Sequence, residues 1–289
     1  LSGKILQSRL NKNISARLRR QWRFWWWRLA TLPDRRKIAR FSLPEGILFD
    51  YPLSSTIGAL LSVEEYENSE RDFVRRCLRP GGTFLDIGAN AGLYTLLAAQ
   101  CVGDSGRVYA FEPGQRELEL LRHNIRINQF TNVTVVDSAV SSVSGTARFA
   151  ESSDGAMSSL ARTKHPGQKI VEWRSVSTLT LDDAVENFQI GKIDFIKMDV
   201  EGAEKLVMEG ATRTLQADDN PIILFEASEM GSAGFGYTVP DFLAEIQRKG
   251  LRIYYFDAHG KLQLLTSRDF SRPELGREIY NFVASRRAL

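Results

Sequence analysis

The chain has 289 residues, 43% of them hydrophobic, enough for one sizeable core with appendages. Its net charge of +3 conceals an asymmetry: residues 1–40 hold twelve Lys or Arg and one acid, Asp34, a local net of +11 that leaves −8 for the remainder. No apolar run of about eighteen residues is present to span a membrane, and two cysteines, Cys77 and Cys101, make neither a disulfide framework nor a metal-ligand pattern.

Those cysteines read as reduced packing residues of a cytoplasmic protein. The charged start without an apolar centre speaks against a secretory signal. Within residues 14–32, "ISARLRRQWRFWWWRLATL", Ile14, Leu18, Trp22, Trp25 and Leu29 recur at helical spacing, with most arginines elsewhere. The segment reads as a basic amphipathic helix that ends before Pro33. Residues 41–82 read as a hairpin around Pro44-Glu45-Gly46, then a helix over 63–78 stopped by Arg79-Pro80-Gly81-Gly82.

From residue 83 onwards strand and helix alternate. Strands are expected at 83–87, 107–111, 132–137, 193–198, 221–226 and 251–256, with helices at 92–102, 115–128, 180–187, 203–216 and 240–248. Tyr280 to Ser285 is a candidate last strand. The pattern predicts an α/β fold, a doubly wound and mostly parallel sheet covered on both faces. An insertion over about 141–179 interrupts it, with "TARFAES" and "EWRSVSTLTLDD" reading as antiparallel strands.

In such a sheet ligands sit beyond the carboxyl ends of the strands, and the first strand-to-helix turn is the usual contact. Here that turn is "DIGANAG", with Gly88, Asn90 and Gly92. A dinucleotide fingerprint needs glycine where Asn90 stands, so a pyrophosphate ligand is disfavoured. Asp86 below the turn would repel phosphate and suit a cationic amine or sulfonium. Glu112, ending the next strand before Pro113, can accept bonds from both hydroxyls of an unphosphorylated ribose. S-adenosylmethionine combines these features.

"FLDIGANAGLYTL", "GRVYAFEPGQ", "NIRINQFTNVTVVDSAVS", "TLTLDD" and "FIKMDVEGAEKLVMEGA" together resemble the FkbM-type S-adenosylmethionine-dependent methyltransferases, a class I family, over residues 60–227. The resemblance implies a seven-stranded Rossmann-like sheet with an antiparallel last strand, and methylation of a hydroxyl, often on a sugar or a polyketide-like product. It also implies an adenine-edge position at Ser138 and Ala139. Tyr66 and Glu67, on the upstream helix, either close over the cofactor or belong to a plain lid. Gly88, Asn90 and Gly92 would present backbone N–H groups to the methionine carboxylate.

Asp199, Glu201 and Glu204 in "KMDVEGAE", with Glu226 in "ILFEAS", form a second constellation. Acids in a first helical turn complement its dipole, the reading that fits Glu204. Asp199 and Glu226 end neighbouring strands and would both face the crevice, with Glu201 between a catalytic and a capping role. Asp199 and Glu226 could take the hydroxyl proton or hold Mg²⁺. His165, in the insertion, is a second proton-acceptor candidate.

These readings predict an O-methyltransferase domain at 83–289, acting on a small molecule, a sugar or a lipid-linked glycan. For residues 14–32 three roles compete: packing on the domain, packing on a second subunit in a homo-oligomer, and contact with an anionic membrane surface on the cytoplasmic side. Nucleic acid is disfavoured because the acidic remainder offers no continuing phosphate track. A nicotinamide oxidoreductase and a non-enzymatic cofactor-binding scaffold are the alternatives.

Overall fold

The computed structural model describes residues 38–44, 46–62, 66–216 and 221–289; the basic helix expected at 14–32 lies outside them. The chain divides into two compact units. The described parts of the smaller are 38–41, 50–62 and 66–68; those of the larger are 42–44, 46–49, 69–216 and 221–289.

Strands β1 (Ile38–Ser42) and β2 (Leu48–Pro52) pair in a two-stranded sheet. In the smaller unit the Arg40 guanidinium grips the Asp50 carboxylate with two bonds of 2.7 Å, and a short helix that the sequence did not suggest spans Thr56–Ser62. The helix expected over 63–78 is seen at Asn68–Cys77. Tyr66 and Glu67 therefore precede it, with Glu67 in the left-handed region at φ 47°.

The larger unit is built on an eight-stranded sheet of β3 (Thr83–Ile87), β4 (Arg107–Phe111), β5 (Val133–Val136), β9 (Phe195–Met198), β10 (Ile222–Glu226), β11 (Arg252–Phe256), β12 (Leu262–Leu265) and β13 (Asn281–Ser285). Their order is β12-β11-β13-β10-β9-β3-β4-β5. The five strands from β10 to β5 in that order are parallel, and β13 is antiparallel to both β10 and β11. Seven strands were expected. The eighth, β12, exists because the turn Asp257–Lys261, with Gly260 at φ 72°, folds the chain back on β11 and covers what would be an open edge.

Burial explains the apolar runs. Successive side chains face opposite sides of a strand, so Leu85, Ile87, Ile196 and Met198 join a core with the helices Leu181–Asn187 and Val239–Arg248. Phe84 and Phe195 stack on the other face, with ring centroids 5.5 Å apart. Both faces are covered, as parallel strands require.

One long helix was expected at 203–216. Two short ones occur, Glu204–Glu209 and Thr212–Gln216. Gly210 separates them, where a Cβ would lie 2.2 Å from the carbonyl oxygen of Ser141. The insertion forms its own sheet in the order β6-β8-β7, from β6 (Ala139–Val140), β7 (Gly145–Ser152) and β8 (Ile170–Leu179).

From β3 the chain moves outward through β4 to β5, then crosses back to β9 on the opposite side of β3. A topological switch point thus lies between β3 and β9, where a doubly wound sheet opens its crevice.

Candidate active site

Two turns leave the sheet at that switch point. The first follows β3, where Gly88 (φ 81°), Asn90 (φ 50°) and Gly92 (φ 93°) all take the left-handed region. Asparagine tolerates that region better than most residues, and the Asn90 side chain accepts from Ala91 N at 2.7 Å. Gly92 caps the helix Leu93–Val102, whose first N–H groups have no side-chain cap. Buried Asn124, on the helix Gln115–Ile127, donates to Ala91 O at 2.9 Å and fixes the turn from behind. Its signal in the sequence was a polar residue on the apolar stripe of Leu118 and Leu121.

Glu112 stands at the tip of β4, only 6% exposed. Its two oxygens accept from Asn90 N and Gly114 N, each at 2.7 Å, so the carboxylate ties the first turn to the second strand. Each oxygen keeps a lone pair for a further donor such as a ribose hydroxyl. Burial first, and the charge of Glu117 second, push the Glu112 carboxyl up to about 8.

Asp86 is placed beneath the turn, 2% exposed, accepting from Thr95 Oγ1 at 2.5 Å. Its influence on a bound cation is through its field, because the helix Leu93–Val102 covers it. Burial raises it to about 6, against the opposing effects of the Thr95 bond and the Lys197 charge.

Beyond β4 and β5 a cavity of about 270 Å³ is lined by Pro113, Asp137, Arg174, Ser175 and Ser177. Ser138 and Ala139, the expected adenine-edge residues, flank it differently. Ser138 Oγ bonds Asp137 O at 2.7 Å, and Ala139 is paired with Thr178 in the insertion sheet. Asp137, which the sequence reading passed over, supplies the polar group at the tip of β5. Its signal was an acid closing the apolar run "VTVVD".

The second turn follows β9. Asp199 N bonds Ile87 O at 2.9 Å, so strand pairing continues to the tips. A Cβ on Gly88 would lie 1.9 Å from Asp199 O, so the two turns are in backbone contact and only glycine fits. Glu201 takes the left-handed region at φ 53°, a conformation that carries strain for a glutamate. The turn is held by Glu204, whose Oε1 accepts from Val200 N at 3.1 Å and Gly202 N at 3.2 Å, while the Tyr237 hydroxyl donates to Gly202 O at 2.8 Å. Glu204 is thus a latch.

Asp199, with its side chain 25% exposed, pairs through Oδ2 with Lys197 Nζ at 3.2 Å. A carboxylate oxygen of Asp199 and one of Glu226 lie within 4.8 Å of each other. Glu201 completes the group. Its carboxyl is held well above the usual range, by burial first and then by the charges of Glu226, Asp199, Glu204 and Asp154. Two carboxylates at such a distance suit a hard divalent ion in donor type. One oxygen of Asp199 is, however, already engaged by an ammonium group.

The insertion reaches the helix after β4 and the turn after β9. The Arg116 guanidinium donates to Ser152 O and Ser153 O at 3.2 Å, and Ser159 Oγ donates to Glu201 O at 2.8 Å. His165 accepts through Nδ1 from Gly167 N at 3.1 Å, a bond within its own loop. Lys164 N next to it bonds Met230 O at 2.8 Å.

Comparison with known proteins follows the same lines. The model of the methyltransferase FkbM domain matches residues 86–253. A probable cobalt-precorrin-6B C(15)-methyltransferase (decarboxylating) of Sulfolobus acidocaldarius is 35% identical over 57 residues, 20% of this chain and 30% of that relative. Among solved structures, methyltransferase FkbM of Methylobacillus flagellatus KT gives a TM-score of 0.44 at 16% identity, covering 79% of this chain and 54% of that one. Precorrin-6y C5,15-methyltransferase of Geobacter metallireducens GS-15 gives 0.44 at 12%, covering 77% and 90%. With the domain model matched across more than half of its sequence, and a crevice whose first turn suits a sulfonium nucleoside, this chain belongs to the FkbM family of S-adenosylmethionine-dependent methyltransferases.

Proposed function

We propose that the chain transfers the S-adenosylmethionine methyl group to a hydroxyl of a small molecule, a sugar or a lipid-linked glycan, with Asp199 as the proton acceptor. The observation that carries this reading is the placement of Asp199. Its partly exposed carboxylate leaves the strand next to β3, in backbone contact with the cofactor turn.

In the proposed reaction the glycine turn and the start of the helix Leu93–Val102 hold the methionine end. Glu112 receives the ribose hydroxyls, and the cavity between Pro113 and Asp137 receives the adenine. The acceptor oxygen attacks the methyl carbon in line with the breaking C–S bond, whose electron pair passes to sulfur and leaves neutral S-adenosylhomocysteine. The hydroxyl proton passes to Asp199. Alignment supplies much of the rate, and a positioned carboxylate adds roughly 10²–10⁴-fold. Glu226 and Glu201 line the same side and favour an acceptor rich in hydroxyl donors.

Among the described residues no helix is long and apolar enough to cross a membrane. The basic, tryptophan-rich segment 14–32 supports contact with an anionic membrane surface on the cytoplasmic side, where a lipid-linked acceptor would be presented.

The test is incubation with methyl-labelled S-adenosylmethionine and cell extract, with calorimetry against S-adenosylhomocysteine and NAD beside it. Label in a glycan, lipid or small-molecule fraction, micromolar S-adenosylhomocysteine binding and no NAD binding are expected. Asp199→Asn should lower the transfer rate at least about 100-fold with ligand affinity kept. Label in RNA or protein, or an unaffected Asp199→Asn rate, would overturn the assignment.

A further inference from the structure

We propose that Lys197 is the resident cation of the acceptor site, a positioning residue that holds Asp199 for methyl transfer and does the work that a divalent metal would otherwise do there. The proposal rests on the reading of Asp199 as proton acceptor and deepens it.

Lys197 lies in the middle of β9, 1% exposed, between Phe195 and Asp199 on one face of the strand. Lysine is almost never fully buried unless paired. Fold alone would put an apolar side chain here, as it does at Phe195, Ile196 and Met198. A residue that breaks the local rule without a packing gain points to function.

The surroundings say which function. Lys197 Nζ is 3.2 Å from Asp199 Oδ2 and 5.1 Å from the centroid of the Tyr94 ring, an arrangement that stabilises a cation from two sides. Lys197 is also the register partner of Asp86 on the adjacent strand. The ammonium therefore sits between the carboxylate under the cofactor turn and the carboxylate at the acceptor turn. Glu226 and Asp154 add negative charge around that acceptor turn, beside the carboxyls of Glu201 and Glu204. Without a fixed positive charge, Asp199 would face the Glu226 carboxylate within 4.8 Å in a partly dry site.

By occupying one oxygen, Lys197 fixes the rotation of the Asp199 carboxylate and leaves the other oxygen for the acceptor hydroxyl. A divalent ion on the same carboxylate would lie a few ångströms from the ammonium and be repelled by it. The donor set at Asp199 and Glu226 thus fits a site already supplied with its cation.

The test uses the full chain, with Mn²⁺ as the ion probe. Wild type should bind no Mn²⁺ by electron paramagnetic resonance up to about 1 mM, and its label transfer to extract should be unchanged by EDTA. Lys197→Met should lower transfer about 100-fold while S-adenosylhomocysteine affinity stays within about threefold, and Lys197→Arg should recover a good part of the rate. Lys197→Met should also gain a Mn²⁺ site that Asp199→Asn removes. Loss of wild-type transfer in EDTA with recovery by Mg²⁺, or a wild-type rate in Lys197→Met, would overturn the proposal. Should Lys197→Met fail to fold, the wild-type Mn²⁺ and EDTA measurements decide alone. An unaffected Asp199→Asn rate sinks the proton-acceptor reading itself; an inactive Asp199→Asn beside a fully active Lys197→Met sinks only the role of Lys197.

Discussion

The turns after β3 and β9 begin alike and end differently. Each leaves a parallel strand at the switch point, passes through left-handed residues and leads to a helix. In the first, the carboxylate at hand, Glu112, is engaged by two backbone N–H groups, so the turn is braced from the next strand. In the second, the brace is Glu204 at the start of the following helix, which leaves the carboxylates of Asp199 and Glu201 outside the bracing. The first turn is stiffened through the backbone from a neighbouring strand, whereas the second keeps a partly exposed carboxylate at Asp199.

The largest expected effect comes from breaking the contact that the two turns share. Gly88→Ala places a methyl group 1.9 Å from Asp199 O at a backbone φ of 81°. It should cost about 3 kcal/mol or more of stability and weaken S-adenosylhomocysteine binding beyond about 100-fold, measured by denaturant melts and calorimetry. Ligand affinity close to wild type would show that the turns are separable.

The second effect isolates the latch. Burial raises the Glu204 carboxyl from an ordinary 4.5 to about 7. The folded state therefore favours the neutral form, so its contribution to stability is full below pH 4.5 and is lost as pH rises through about 7. Wild-type thermal stability should fall between about pH 5 and pH 8. Glu204→Gln, which keeps an acceptor for Val200 N and Gly202 N, should fall less over that range, by about 1–3 kcal/mol at the alkaline end. Parallel pH curves for the two proteins would remove Glu204 as the titrating latch.

The smallest effect is a control outside both turns. Thr180 Oγ1 accepts from Asp183 N at 3.0 Å and caps the helix Leu181–Asn187. Thr180→Ala should cost about 1 kcal/mol with no change in ligand affinity. A change in affinity would mean that the comparison of the turns omits a third support.

Much of this was legible because the strands that carry the site are buried on both faces, so apolar runs ending in Asp86-Ile-Gly88, Glu112 and Asp199 mark strand tips directly. What stayed hidden depended on contacts between distant segments. The break at Gly210 answers the approach of Ser141, and Asp137 lines its cavity opposite strand β8 of the insertion. Ser138 and Ala139 look equivalent in sequence, yet the pairing of Ala139 with Thr178 turns the chain into the insertion sheet. Lys197 was in plain view inside "FIKMD". Only the two-residue period together with the burial of β9 showed that its charge lies beside Asp199 and not in solvent.

The separate pairing of the insertion bears on which parts of the molecule can vary independently. Its ladder from β6 through β8 to β7 is separate from that of the main sheet. It touches the helix Gln115–Ile127 through Arg116 on one side and the turn after β9 through Ser159 on the other. Amino-acid changes along β7, β8 and the loop between them can therefore remodel the insertion while the eight-stranded sheet keeps its pairing. The insertion is in this sense an exchangeable fitting, mounted at fixed points on a larger frame.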